Sequence, residues 1–246
     1  MKRKPTYLSS AILAATLAMG IPAAAVAQQA SQPGISISVG HNVVDAVDDV
    51  RETTADFIGA LLEAEEGLGL GNWEQQEQRL NKIEEQLEQM EDVLDAKAES
   101  TDQEWLDWMG GPEYSVTVTE QVKSLGSQLE QVSAILEENW NTKGIQVLIG
   151  SNVLEQLRDL RETTGDLLTA MENAGESYDG WAIDENQLKQ AREKLEVMSN
   201  DIDQLLVMSD EDWKAYLESD RYHVVIHDNV ATLANVLSNL TLPKKS

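Results

Sequence analysis

The chain repeats itself, and this bounds its fold more tightly than any other feature. At a shift of 110 residues, Gly34-Ile35 falls on Gly144-Ile145, and Gly40, Asn42 and Val43 fall on Gly150, Asn152 and Val153. Arg51-Glu52-Thr53-Thr54 falls on Arg161-Glu162-Thr163-Thr164, and residues 34–62 hold 12 identities in 29 positions. Chance alone gives about two. A two-residue deletion before Trp181 changes the shift to 108, and residues 73–132 then hold 15 identities in 60 positions without a gap. We read gene duplication of a unit of roughly 108 residues.

The apolar pattern within each unit is mainly helical. Val43, Val47, Val50, Thr54, Phe57 or Ile58, and Leu61 recur at spacings of three and four. So do Val153, Leu157, Leu160, Thr164, Leu167 or Leu168, and Met171. Such spacing lines up one face of a helix. Glycines at 67, 69 and 71, and at 175 and 180, are the expected stops. A second helix carries a heptad seam, Leu80, Ile83, Leu87, Met90 and Leu94, matched by Leu188, Ala191, Leu195, Met198, Ile202 and Leu205. Glu, Gln, Lys and Asp fill the positions between, so the seam must be buried against other helices.

Thr101-Asp102-Gln103-Glu104 fits a capping box, and Ser209-Asp210-Glu211-Asp212 is its variant with Asp at the last position. Each predicts a short helix holding Trp105 or Trp213. Gly110, Gly111 and Pro112 stop the first of these. Tyr114, Val116 and Val118, and Tyr222, Val224 and Ile226, are β-prone, but the helical period continues through Val122, Leu125, Leu129, Val132 and Leu136 and through Val230, Leu233, Leu237 and Leu240. A helix is favoured here.

One feature breaks the pattern. Ile35, Ile37 and Val39, and Ile145, Val147 and Ile149, alternate with period two and end at a glycine. Alternation predicts a short strand in each unit, the two able to pair, with Asn42 and Asn152 capping the helices that follow. The expected fold is therefore all-α: a tandem duplication with three main amphipathic helices and one short helix per copy, forming a helical bundle with a minor strand pair. The first repeat spans residues 34–139. The second spans 140–246, with a connector and a short tail. Because the connector is short, one compact assembly is preferred over two separate bundles.

Lys2, Arg3 and Lys4 precede an apolar stretch from Ala11 to Gly20 and then Ala25-Val26-Ala27. A charged start, a short apolar run and a small-residue site make residues 1–27 a secretory signal peptide, with residues 28–33 a flexible mature N-terminus. The stretch is shorter than the roughly 20 residues a membrane span needs. With no Cys in the chain, neither a lipid anchor on Cys nor disulfides, thiol catalysis or Cys-ligated zinc is available. The expected location is periplasmic or secreted.

The formal charge is −26. Removing the three basic residues of the signal peptide, which carries no acids, leaves −29. A field of that sign repels nucleic-acid phosphates and attracts cations or a basic partner. Solubility in a salty habitat accounts for it equally well.

Four groups of residues are candidates for chemistry. Arg51, Glu52 and Thr54 with Arg161, Glu162 and Thr164 can line a polar pocket at a pseudo-twofold axis; structurally, the threonines can instead bond a carbonyl one turn back. The pairs Trp73/Trp181, Trp105/Trp213, Trp108/Tyr216 and Tyr114/Tyr222 can line a recognition groove or close the ends of the bundle. Trp140 can pack between the copies. His223 and His227 stand four apart, but their counterparts are Ser115 and Thr119, and no H-E-x-x-H pattern is present. Acid clusters at 201–203 and 210–212 invite a calcium reading, but the calcium-loop pattern is not met around Asp179-Gly180, where Gly175 occupies the first ligand position.

No nucleophile elbow, phosphate loop or dinucleotide fingerprint occurs. No catalytic residue, metal or cofactor is therefore assigned. The expectation is a non-enzymatic binding, adaptor or chaperone-like protein of the bacterial envelope. Its partner would be an envelope protein of basic or amphipathic character. The alternative is a carrier of a small ligand or cation with a pocket between the repeats. Heptad seams can also pair between chains, so a homo-oligomer stays open.

Overall fold

A computed structural model describes residues 33–68, 74–98, 100–139, 145–177 and 184–241. The signal peptide, most of the mature N-terminus, Trp73, Trp140 and Trp181 lie outside these residues. The described residues form eight helices: α1 (Pro33–Leu68), α2 (Glu74–Ala98), α3 (Asp102–Gly110), α4 (Glu113–Asn139), α5 (Val147–Ser177), α6 (Glu185–Leu206), α7 (Asp210–Leu217) and α8 (Asp220–Asn239). Six are long and two are short, and no strand occurs among the described residues.

The helix α1 lies along α5, and α4 lies along α8, in the two most extensive contacts of the molecule. Contacts of α1 with α4 and of α5 with α8 close these four helices into a ring. Outside it, α2 packs on α1 and α4, while α6 packs on α5 and α8. The short α3 sits against α1 and α4, and α7 against α5 and α8. From Pro33 onward the chain forms one compact unit with a single continuous core.

That core is the one the spacing predicts. Val43, Val47, Val50, Phe57, Ile58 and Leu61 of α1 are at most 1% exposed, as are Val153, Leu157, Leu160, Leu167, Leu168 and Met171 of α5. The seams of α2 and α6 are buried from Leu80 to Leu94 and from Leu188 to Ile202. Burying a side chain of this size contributes roughly 1.5–3 kcal/mol. This burial, rather than helix propensity, makes helices as polar as α2 and α6 stable.

The caps set where the helices start. Thr101 Oγ1 accepts from Glu104 N, and Glu104 Oε2 accepts from Thr101 N at 2.8 Å, completing the capping box of α3. Ser209 does the same for α7 through Asp212 N. Asp184 caps α6 by accepting from Asn186 N and Gln187 N. Ser219, which accepts from Arg221 N, starts α8 immediately after α7. The β-prone stretches at 114–118 and 222–226 are helical.

Three expectations are corrected. Residues 35–39 are in α1 and Val147 and Ile149 are in α5, so the strand pair does not form. Three alternating residues do not define a period, because residues i and i+4 also share a helix face. Ile37 and Val39 are only half-buried, and Val43, Val44 and Val47 carry the face onward with helical spacing.

Asn42 and Asn152 consequently lie inside helices and cap nothing. Gly40 and Gly150 are not terminators either. A Cβ at Gly150 would stand 2.7 Å from Leu217 Cδ2 of α7, and one at Gly40 would meet the Met109 thioether of α3. Glycine is what lets each short helix close on the long one. The helix α1 ends at Leu68 and α5 at Ser177, each within its predicted glycine stretch. Glycines 69, 71 and 180 lie outside the described residues.

Candidate functional site

The Arg-Glu-Thr-Thr segments meet where α1 crosses α5. Thr53 Oγ1 lies 2.8 Å from Thr163 Oγ1, its counterpart at the shift of 110. A second pair of counterparts, Glu130 and Ser238, meets where α4 crosses α8: Ser238 Oγ donates to Glu130 Oε1 at 3.2 Å. Under twofold symmetry a residue touches its own equivalent only at the axis.

Thr54 and Thr164 are buried and turned inward. Each donates to the carbonyl one turn back, Thr54 to Val50 at 2.7 Å and Thr164 to Leu160 at 2.8 Å. They satisfy themselves within their own helices and line no pocket in this arrangement.

The two arginines differ. Arg51 is buried, with Nε 2.6 Å from Asp48 Oδ1 and Nη1 3.3 Å from Glu91 Oε2. Burial works against its charge, but the Asp48 hydrogen bond and the charges of Asp48 and Glu91 outweigh it, so protonation is held above the ordinary range. Glu52 adds to that field from an exposed position. Among the described residues Arg161 pairs with its neighbour Glu162, at 3.0 Å, and its buried Nε has no partner.

The described aromatic pairs pack against one another and against the core. Trp105 and Trp213 are 1% and 3% exposed, and Tyr114 and Tyr222 are fully buried. Tyr114 Oη donates to the Gly40 carbonyl at 2.9 Å and Tyr222 Oη to the Gly150 carbonyl at 2.8 Å, tying α4 to α1 and α8 to α5 at matching points. Trp108 stands edge-on to Trp105 and Tyr114, and Tyr216 stands edge-on to Trp213 and Tyr222. Burial pushes the Tyr216 phenol up to about 12, partly opposed by Arg221. Burial likewise raises the Tyr222 phenol well above its ordinary range.

The open concavities lie on the outer helices, and sequence reasoning missed them. One groove, of about 440 Å³, runs between α2 and α4 past Gln86, Gln89, Met90, Glu120, Gln121 and Ser124. The other, of about 540 Å³, runs between α6 and α8 past Lys194, Val197, Met198, Asp228, Asn229 and Thr232. These six positions correspond one by one at the shift of 108.

Their chemistry differs. The first groove is lined mainly by amides, and the side-chain carbonyls of Gln121 and Gln128 lie buried beside it without a partner among the described residues. The second has an apolar centre, with Val197 62% exposed over buried Met198. Glu193, Asp201 and Asp228 edge it. Its one lysine, Lys194, is tied to Asn235 Oδ1 at 2.5 Å. The available signal was Val197, an apolar residue on the polar side of a heptad helix where the other unit has Gln89.

His223 and His227 do not converge on one point. His223 Nε2 is 2.8 Å from the Leu136 carbonyl, and His227 Nδ1 is 3.0 Å from Asp228 Oδ1. Among the described residues no three metal-capable side chains gather. No helix among them is long and apolar enough to cross a membrane. Comparison with known protein families, with characterised proteins and with solved structures finds no match.

Proposed function

We propose that the chain arose by tandem duplication, is exported to the periplasm or beyond the cell, and works there as a non-enzymatic adaptor or chaperone-like protein. In this reading the ring of α1, α4, α5 and α8 is a scaffold, and the α6/α8 groove receives a basic, amphipathic helical segment of an envelope protein. The observation that carries the reading is Val197: a large apolar side chain exposed at the centre of an acid-edged groove. An amphipathic helix laid there covers apolar surface, and its flanking lysines meet Glu193, Asp201 and Asp228. The charge of the whole chain speeds the encounter.

The test is a titration of the purified mature protein with a labelled synthetic helix carrying leucines on one face and lysines on its flanks. Binding is expected, weakening as salt rises, and Val197→Asp is expected to reduce it at least about tenfold, the equivalent of 1.4 kcal/mol. Equal binding of an acidic helix, or unchanged binding by Val197→Asp, would count against the groove.

A further inference from the structure

The two halves treat one arginine differently, and the difference leaves a vacancy of defined chemistry. In the first half Arg51 is neutralised by Asp48 on its own helix and by Glu91 reaching over from α2. At the corresponding positions of the second half stand Arg158 and Ser199. The arginine itself is kept as Arg161, and its side chain is only 14% exposed. Both acids that balance it in the first half are gone. A further base enters at Arg192, where the first half has Glu84. Over these four positions the formal charge goes from −2 (Asp48, Arg51, Glu84, Glu91) to +3 (Arg158, Arg161, Arg192, Ser199), within a chain that is otherwise strongly acidic.

The place where the missing carboxylate would stand is open. A concavity of about 360 Å³ lies between α5 and α6, bordered by Arg161, Glu162, Gly165, Arg192, Leu195, Glu196 and Ser199. Gly165 contributes no side chain, and Ser199 is much shorter than the Glu91 it replaces. Arg161 Nη2 meets Glu162 at 3.0 Å, and Arg192 Nη2 meets Glu172 at 2.7 Å and Thr169 Oγ1 at 3.3 Å. Glu162 and Glu172 are themselves half-exposed. Among the described residues Arg161 Nε has no acceptor, whereas Arg51 Nε has Asp48. A largely buried guanidinium whose Nε lacks an acceptor, with a second guanidinium lining the same concavity, is an arrangement that can take a carboxylate by its two oxygens.

We propose that this concavity is a binding site for a carboxylate ligand, a small organic acid or an acidic side chain, which supplies to Arg161 what Glu91 supplies to Arg51. The site is on the α5 side of α6, away from the groove on the α8 side, and does not depend on the adaptor reading.

The experiment follows the melting temperature of the purified mature protein with sodium succinate, sodium acetate, inorganic phosphate or sodium chloride, all at equal ionic strength. Succinate is expected to raise the melting temperature by at least about 2 °C over chloride. Ser199→Glu places a tethered carboxylate in the site. It is expected to raise the melting temperature without ligand and to abolish the succinate response, and Arg161→Gln is expected to lose that response as well. Should Arg161→Gln fail to fold, Ser199→Glu, which adds a partner instead of removing one, decides alone. No rise over chloride, a rise that survives Ser199→Glu, or a larger response to phosphate than to succinate would each overturn the assignment.

Discussion

Thr53 and Thr163, 110 residues apart in the chain, share a hydrogen bond of 2.8 Å across the crossing of α1 and α5. Each hydroxyl also lies within reach of its own helix, Thr53 of the carbonyls of Asp49 and Val50 and Thr163 of those of Asp159 and Leu160. With one proton apiece, one hydroxyl donates across the crossing while the other donates to its own backbone and accepts.

A double-mutant cycle on this pair measures the contact separately from the local bonds. Thr53→Val and Thr163→Val each cost about 0.5–1.5 kcal/mol in urea unfolding, and the pair shows a coupling of about 0.5–1 kcal/mol. Strict additivity would mean that the hydroxyls do not interact in solution.

The α4/α8 crossing makes a sharper steric prediction. A Cβ on Gly126 would stand 2.6 Å from Ser238 N and 3.0 Å from its Cα, both backbone atoms that cannot step aside. Gly126→Ala gains about 1 kcal/mol of helix propensity, yet should destabilise by about 1–3 kcal/mol net because the helices must part. Gly40→Ala meets the flexible end of Met109 instead, and should fall within about 1 kcal/mol of the native protein. Equal effects in chemical denaturation would contradict this packing.

Acidification should first stabilise the protein. Burial and the neighbouring acids Asp48, Asp45 and Glu52 hold the Asp49 carboxyl above its ordinary range, and burial with Glu88 does the same for Glu84. Groups whose pKa is raised on folding favour the folded state below their unfolded pKa, and that contribution is lost as pH rises through the folded value. Lowering pH from 7 toward about 5 therefore recovers stability. Glu104 works the other way. Its hydrogen bonds from Thr101 hold its pKa down, so its contribution is present at neutral pH and fades as pH falls through the depressed value. Urea midpoints should rise between pH 7 and 5 and fall below about 4. A steady decline from pH 7 downward would contradict the assignment.

What the sequence made legible follows from how many residues carried each signal. The seams of α2 and α6 rest on five or more apolar residues at alternating spacings of three and four, and all of them are buried except Leu205, which is half-buried at the end of α6. The Thr101 and Ser209 caps are local bonding patterns, so four residues suffice to read them. The strand at 35–39 rested on three residues, too few to separate a period of two from one of 3.6.

The site was less legible because it depends on crossings. Repetition marked Arg-Glu-Thr-Thr as special but could not say that Thr54 and Thr164 turn inward while Thr53 and Thr163 face each other. Nor could it say that Tyr114 and Tyr222 reach glycine carbonyls more than 70 positions away in the chain. The exchange of Asp48 for Arg158 and of Glu91 for Ser199 was visible on the aligned halves. It acquires meaning only once α1 is seen against α2 and α5 against α6.

The most direct test of the proposed function is site-specific photo-crosslinking in the cells that export the protein. A photoreactive side chain at position 197 is compared with one at position 148, where Leu148 is 79% exposed on α5, away from the groove. The adaptor reading predicts one discrete envelope partner linked from 197, not from 148, and lost when Asp201→Lys and Asp228→Lys reverse the charge of the groove's edge. The same products from both positions, or only links between copies of the chain itself, would contradict it.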